Sequence, residues 1–206
     1  MTSDTPPLAP GGYWQWRLVR LRAMRPDDDA LFLAEELSDT EAVRALNCGM
    51  TEPRSATSAR AFAERFADFG ERDERIMFSI ENLAGDLVGG INLHSMQPRH
   101  GTFETGTRIY SAYRDRGYAF DAKLLLLRYA FHELRCQKYV IRCLASNGPM
   151  QRHAARLGCV PEGRLRRQFF TDGEYRDELV FGLLREEFDA LLVREGLRQE
   201  PDASVG

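Results

Sequence analysis

The sequence predicts a single α/β (α+β) domain: a mixed, largely antiparallel sheet flanked by helices. Three observations predict it. Short apolar or alternating runs of strand length recur along the chain. Two pairs of them are joined by tight turn sequences, Asn82–Asp86 and Thr171-Asp172-Gly173-Glu174. Runs with helical spacing interrupt them, giving the order β-α-α-β-β-β-α-β-α-β-β. The 206 residues are 43 % hydrophobic and 29 % charged, a globular composition of one-domain length, which excludes a mainly disordered, collagenous or coiled-coil chain.

Trp16–Met24 alternates apolar with basic side chains and reads as the first strand. Pro26 with Asp27, Asp28 and Asp29 then opens a helix, since proline suits the first turn and acidic groups suit the positive end of the helix dipole. Leu31, Phe32, Ala34 and Leu37 continue it. A second helix spans Ser55–Phe69 with Phe62, Phe66 and Phe69 on one face. Ile76–Ile80 and Leu87–Leu93 form a hairpin, and a turn near Pro98–Gly101 leads into the strand Thr102–Ser111. Arg114–Phe120 reads as a glycine-containing loop. It runs into the helix Asp121–Leu134, with an apolar stripe of Leu124, Leu127, Phe131 and Leu134. Lys138–Leu144 is a strand, and Met150–Leu157 is a helix that ends at Gly158. Cys159–Phe170 and Tyr175–Leu184 form the last hairpin. The domain is expected over 14–192, with disordered tails at 1–13 and 193–206 rich in Pro, Gly and polar residues.

The net charge of −3 gives no general attraction to nucleic acid or to an anionic membrane, although only two of the 28 basic residues are lysines. Cys48, Cys136, Cys143 and Cys159 have neither CxxC nor zinc-ligand spacing, so they read as free thiols and no metal site is expected. The N-terminus has no secretory pattern and no run is long enough to span a bilayer, so a cytoplasmic protein is expected.

The strand–loop–helix unit at 102–134 carries the sharpest signal. A loop that opens a helix points free backbone N–H groups outward at the positive end of the dipole, and this geometry binds a phosphate or diphosphate. Gly117 lets the ligand approach the backbone, and Arg114 and Arg116 add positive charge. An ordinary strand-to-helix turn with surface arginines has the same sequence.

The string Arg114-Asp115-Arg116-Gly117-Tyr118-Ala119 resembles motif A, (R/Q)-x-x-G-x-(G/A), of the GNAT superfamily of acyl-CoA-dependent N-acyltransferases. The ordered set around it is most similar to the ribosomal-protein N-terminal acetyltransferase (RimJ/RimL-like) branch. That set includes Phe103-Glu104-Thr105-Gly106, Asp121-Ala122, Tyr129-Ala130-Phe131-His132-Glu133-Leu134, Asn147, Leu157-Gly158-Cys159 and Asp172-Gly173-Glu174-Tyr175-Arg176-Asp177. The resemblance implies a sheet splayed between the family's fourth strand, here 102–112, and its fifth, here 138–145, with acetyl-CoA in the gap. It also implies that the backbone of Ile109, Tyr110 and Ser111 holds the pantetheine. Arg114, Arg116, Gly117, Tyr118, Ala119 and Phe120 would form the pyrophosphate loop, with Asn147 at the pantetheine arm. Each has a plainer alternative: Ile109 in the core, Tyr110 on the surface, Asn147 in a turn.

The reaction so implied is direct attack of a primary amine, either a protein N-terminal α-amine or a small amine, on the thioester. The amine must first lose a proton, and Glu104 is the candidate base, with a solvated strand carboxylate as its alternative. His94 is a weaker candidate for the same cleft. The sequence departs from the pattern where the family carries a hydroxyl to protonate the leaving thiolate: Met150 and Ala154 stand there, and neither donates a proton. Ser146, His153, Tyr110 or solvent would then serve. A monomer or homodimer is expected. Two rivals remain: an acyl-CoA-binding regulatory module without turnover, and a nucleotide-binding protein using the same loop.

Overall fold

A computed structural model describes residues 12–67 and 75–197. The predicted disordered tails fall mainly outside this range, as does Phe69. Among the described residues eight strands form one sheet in the order β1-β2-β3-β4-β5-β6-β8-β7. They are β1 (Gln15–Trp16), β2 (Val19–Ala23), β3 (Ile76–Asn82), β4 (Leu87–Gln97), β5 (Thr102–Ile109), β6 (Lys138–Leu144), β7 (Val160–Thr171) and β8 (Glu174–Leu184). All neighbours are antiparallel except β5 and β6. Six helices accompany them: α1 (Asp29–Ser38), α2 (Thr40–Asn47), α3 (Ala56–Ala67), α4 (Tyr118–His132), α5 (Gly148–Leu157) and α6 (Arg185–Arg194).

Several boundaries differ from the sequence reading. The first strand is broken by a turn at Arg17–Leu18 into β1 and β2, and Pro26–Asp28 forms a 3-10 turn ahead of α1. α2 and α6 were not foreseen. α2 is short and buries only Val43, so its apolar period is weak. α4 begins three residues earlier than expected, so Tyr118, Ala119 and Phe120 belong to its first turn and not to the loop. Its expected one-sided stripe is also too narrow. Leu124, Leu125, Leu126 and Leu127 are all fully buried, because α4 packs beneath the sheet and is covered on its other sides as well.

The α4 crossover makes β5 and β6 parallel. Each keeps an antiparallel partner along its length: β5 pairs with β4 from Gln97↔Thr102 to Gly89↔Ile109, and β6 pairs with β8 from Lys138↔Leu184 to Leu144↔Glu178. Between themselves they pair only at Thr102↔Lys138, Phe103↔Tyr139 and Glu104↔Val140. Beyond that vertex the strands diverge and leave a cleft between Thr105–Ile109 and Ile141–Leu144.

A buried ionic cluster secures the entry to α1. Asp28 accepts from the two terminal Arg22 guanidinium nitrogens at 2.8 and 2.9 Å, from the Arg25 amide at 2.8 Å and from the Ser79 hydroxyl at 2.7 Å. Burial alone would raise the Asp28 pKa, but the Arg22 hydrogen bonds, the Arg25 amide and the Ser79 hydroxyl outweigh it and hold the carboxyl below its ordinary value.

Candidate active site in the cleft between two parallel strands

The outer end of the cleft is the loop between β5 and α4. After Ile109 the chain makes a 3-10 turn at Ser111–Tyr113, then passes Asp115 at φ 60° and Gly117 at φ 85° before entering α4. Gly117 lies in the left-handed region, which favours glycine, and a Cβ there would press Leu18 Cδ1 at 3.1 Å. The amides of Arg116, Gly117, Tyr118 and Ala119 have no intramolecular acceptor among the described residues, whereas Phe120 N–H donates to the Gly117 carbonyl at 3.1 Å. Four unsatisfied donors therefore stand at the positive end of a 15-residue helix.

The two loop arginines are engaged by protein. Arg114 donates to the Ile109 carbonyl at 3.2 Å and pairs with Asp39, the N-cap of α2. Arg116 donates to the Ala112 carbonyl at 3.0 Å and lies over the Tyr113 ring. Both shape the loop. Farther in, the Ser111 amide and hydroxyl donate to Glu35 at 2.9 and 3.0 Å, and the Tyr110 amide donates to the Val88 carbonyl at 2.9 Å. Tyr110 is buried and not a surface aromatic; Ile109 is half-buried. Asn147 is the N-cap of α5: its side-chain oxygen accepts the Met150 amide at 3.0 Å.

Glu104 lies in the last pair before the vertex. Its antiparallel partner is His94, so the two side chains share one sheet face. Arg142 approaches Glu104 at 3.6 Å and bonds the buried Glu178 at 3.2 Å. Burial raises the Glu104 pKa above the ordinary glutamate value; Arg142 opposes this and Glu178 adds to it. The carboxyl is therefore a more basic proton acceptor than a solvated one. Burial, Arg75 and Lys123 together lower the His94 imidazole to about 4, so at neutral pH it is uncharged and a weaker base than a free histidine. β4 runs four residues beyond the expected Leu93, so His94 lies within the strand.

Of the alternative donors, His153 sits on α5 with its pKa lowered to about 3 by burial, Lys123 and Arg156. Its Nε2 is buried without a partner among the described residues. Arg164, Arg166 and Arg167 lie together on β7, the edge strand, where Arg164 pairs with Asp177 at 2.7 Å.

Sequence reasoning missed Arg142, Glu178 and Lys123. The last carried a signal: it is a lone lysine within Ala122–Leu127, an otherwise apolar run, and it is fully buried.

Known proteins share this fold. Residues 18–160 match the family model described as the acetyltransferase (GNAT) domain. The chain is 33 % identical over 177 residues to the SPbeta prophage-derived uncharacterized N-acetyltransferase YokL of Bacillus subtilis, covering 86 % of this chain and 96 % of that protein. A crystal structure of a putative acetyltransferase from T. thermophilus superposes with a TM-score of 0.72 at 29 % identity, covering 91 % of this chain and 96 % of that one. Spermidine N-acetyltransferase from Vibrio cholerae, in complex with CoA and spermine, shares the fold at 20 % identity with a TM-score of 0.72, over 82 % of this chain and 97 % of that one. The chain belongs to the GNAT acetyltransferase family and is an acyltransferase.

Proposed function

We propose that the protein transfers an acetyl group from acetyl-CoA to a primary amine, a protein N-terminal α-amine or a small cationic amine, and that it falls in the RimJ/RimL-like branch with its working domain over 14–192. One observation carries the reading: the strands of the parallel pair part just beyond Glu104, between four free amides at one end and a carboxylate at the other. The residues present fit an acyl-CoA. The free amides of residues 116–119 suit a diphosphate, and the β5–β6 edges left unpaired at Thr105–Arg108 and Ile141–Leu144 suit an extended amide-bearing arm. The similarly folded spermidine N-acetyltransferase binds CoA.

Acetyl-CoA supplies the thioester. The protein's residues do the rest. Amides 116–119 grip the diphosphate and align the donor along β5. Glu104 accepts the proton of the incoming ammonium, directly or through water, so that the neutral amine forms its bond to the acyl carbon as the carbon–sulfur bond breaks. The thiolate takes a proton from solvent or from a neighbouring donor. Glu104, part-exposed at the vertex, is a carboxylate that favours a cationic acceptor, with Arg142 3.6 Å away.

The test is thermal shift with acetyl-CoA, CoA, ATP and NAD, followed by thiol release over an amine and peptide panel. Stabilisation by the two CoA species and turnover on an amine are expected. The variant Glu104→Gln should bind acetyl-CoA normally and lose about a hundredfold in kcat, in the range of general base catalysis. Stabilisation by ATP or NAD alone would overturn the reading. Binding of CoA without turnover on any amine would favour a regulatory module.

A further inference from the structure

The inner end of the cleft holds a buried polar group that the reaction above does not use. Lys123, on the second turn of α4, is 0 % exposed. Its amine donates to the Thr105 hydroxyl on β5 and, at 3.2 Å, to the Tyr139 hydroxyl on β6; those two hydroxyls share a hydrogen bond of 2.8 Å. The knot therefore ties α4 to both strands. It lies at the vertex, because Thr105 is the first residue beyond the last paired position and Tyr139 pairs with Phe103. It also lies on the α4 face of the sheet, opposite Glu104: the Phe103 ring stacks on Tyr139 at 5.4 Å and meets Phe131 of α4 at 5.3 Å. No carboxylate pairs with Lys123 among the described residues, and burial lowers its amine to about 7.

A donor held at residues 116–119 and extended along β5 travels from Ile109 toward Thr105, four strand steps or about 13 Å. Its acyl end meets the knot. We infer that Lys123, Thr105 and Tyr139 form the floor of the acyl pocket and restrict the donor to short acyl groups. This rests on the acyl-CoA reading above. Two effects set the restriction. The floor is filled, so a longer chain has no space. The floor is also polar, so a chain that forced its way in would leave a buried amine and two hydroxyls without partners, a larger penalty than displacing hydrocarbon. Replacing Lys123 by alanine would vacate the space of Cγ, Cδ, Cε and Nζ, which is enough for the two further carbons of a butyryl group.

The experiment is calorimetric binding of acetyl-CoA, butyryl-CoA and hexanoyl-CoA to wild type, Lys123→Ala and Thr105→Ala, with no acceptor present. A methylene pressed against a filled wall costs about tenfold, so wild type should bind butyryl-CoA about a hundredfold more weakly than acetyl-CoA. In Lys123→Ala that gap should close to within about tenfold, butyryl gaining most. Equal binding of the two thioesters by wild type overturns the inference, as does an undiminished gap in folded Lys123→Ala. If that variant does not fold, Thr105→Ala decides: it trims the same floor and leaves the lysine in place, and an unchanged gap counts against the floor. Failure of every thioester to bind would instead remove the acyl-CoA reading itself.

Discussion

Replacing Arg142 by glutamine isolates the electrostatics of the proposed base. Arg142 stands 3.6 Å from Glu104 and 3.2 Å from Glu178, so the substitution removes a cation from the first and unmasks the second. Both changes disfavour the charged form of Glu104, whose pKa is already raised by burial and by Glu178. Coulomb attraction at 3.6 Å is about 1 kcal/mol in water and several times that in a protein-like medium. Arg142 is 44 % exposed, so the solvent-screened end of that range applies, about 1 kcal/mol or about three-quarters of a pH unit. The acid limb of kcat/KM, followed by thiol release, should move upward by that amount. Well below the limb the rate falls about fivefold, and above it the rate is unchanged. The buried Glu178 loses its partner, so unfolding is monitored beside the kinetics, and the rate is compared only where the variant is folded. A limb that stays in place, or an equal loss at every pH, would refute Glu104 as the titrating base.

Three further outcomes follow from the same geometry. Gly117→Val forces a branched side chain into the left-handed region and against Leu18, which should cost about 1–2 kcal/mol by urea unfolding and weaken CoA binding; unchanged CoA affinity would count against the phosphate loop. At Asn147, alanine should cost about 1 kcal/mol through loss of the α5 cap, whereas aspartate keeps the cap; reduced CoA affinity in Asn147→Asp with stability retained would assign the amide nitrogen to the ligand, and full affinity would confine the residue to capping. The Asp28 carboxyl is held below its ordinary value, so its stabilising effect is present above the unfolded carboxylate pKa and is lost as pH falls through the folded one. Asp28→Asn should therefore cost about 3 kcal/mol at pH 7, with the difference from wild type shrinking toward pH 2; a constant difference across that range would rule out the charge as its source.

Local chemistry made much of the fold legible. The hairpins at Asn82–Asp86 and Thr171–Glu174 and the Gly158 stop each depend on a few adjacent residues, and each appears where its residues predict it; the proline–aspartate run opens a helical segment as expected, though as a 3-10 turn ahead of α1. α2 and α6 escaped for the opposite reason. Their stability comes from what they pack on: Val43 of α2, and Phe188, Leu191 and Leu192 of α6, are buried by elements distant in sequence. The limits of α4 were misread because full burial erases the polar face by which a helix period is recognised. In the site, Gly117 and the residues that follow it announce a helix-opening loop, but not which amides remain free. Arg114 read as a phosphate ligand because charge alone is visible in sequence, and its pairing with Asp39 requires α2 to lie beside the loop.

The amino-acid order alone thus determined a mixed α/β sheet and a glycine-bearing loop at a helix N-terminus that follows a glutamate-bearing strand, since turn geometry, capping and periodicity act within a few residues. Only the tertiary structure decided where the β5–β6 ladder stops, which places Arg142 and Glu178 beside Glu104 and seats Lys123 between Thr105 and Tyr139. Register and burial are relations between segments: a ladder ends where two strands each follow a different antiparallel partner, and a buried amine remains only where groups from other elements meet its hydrogens.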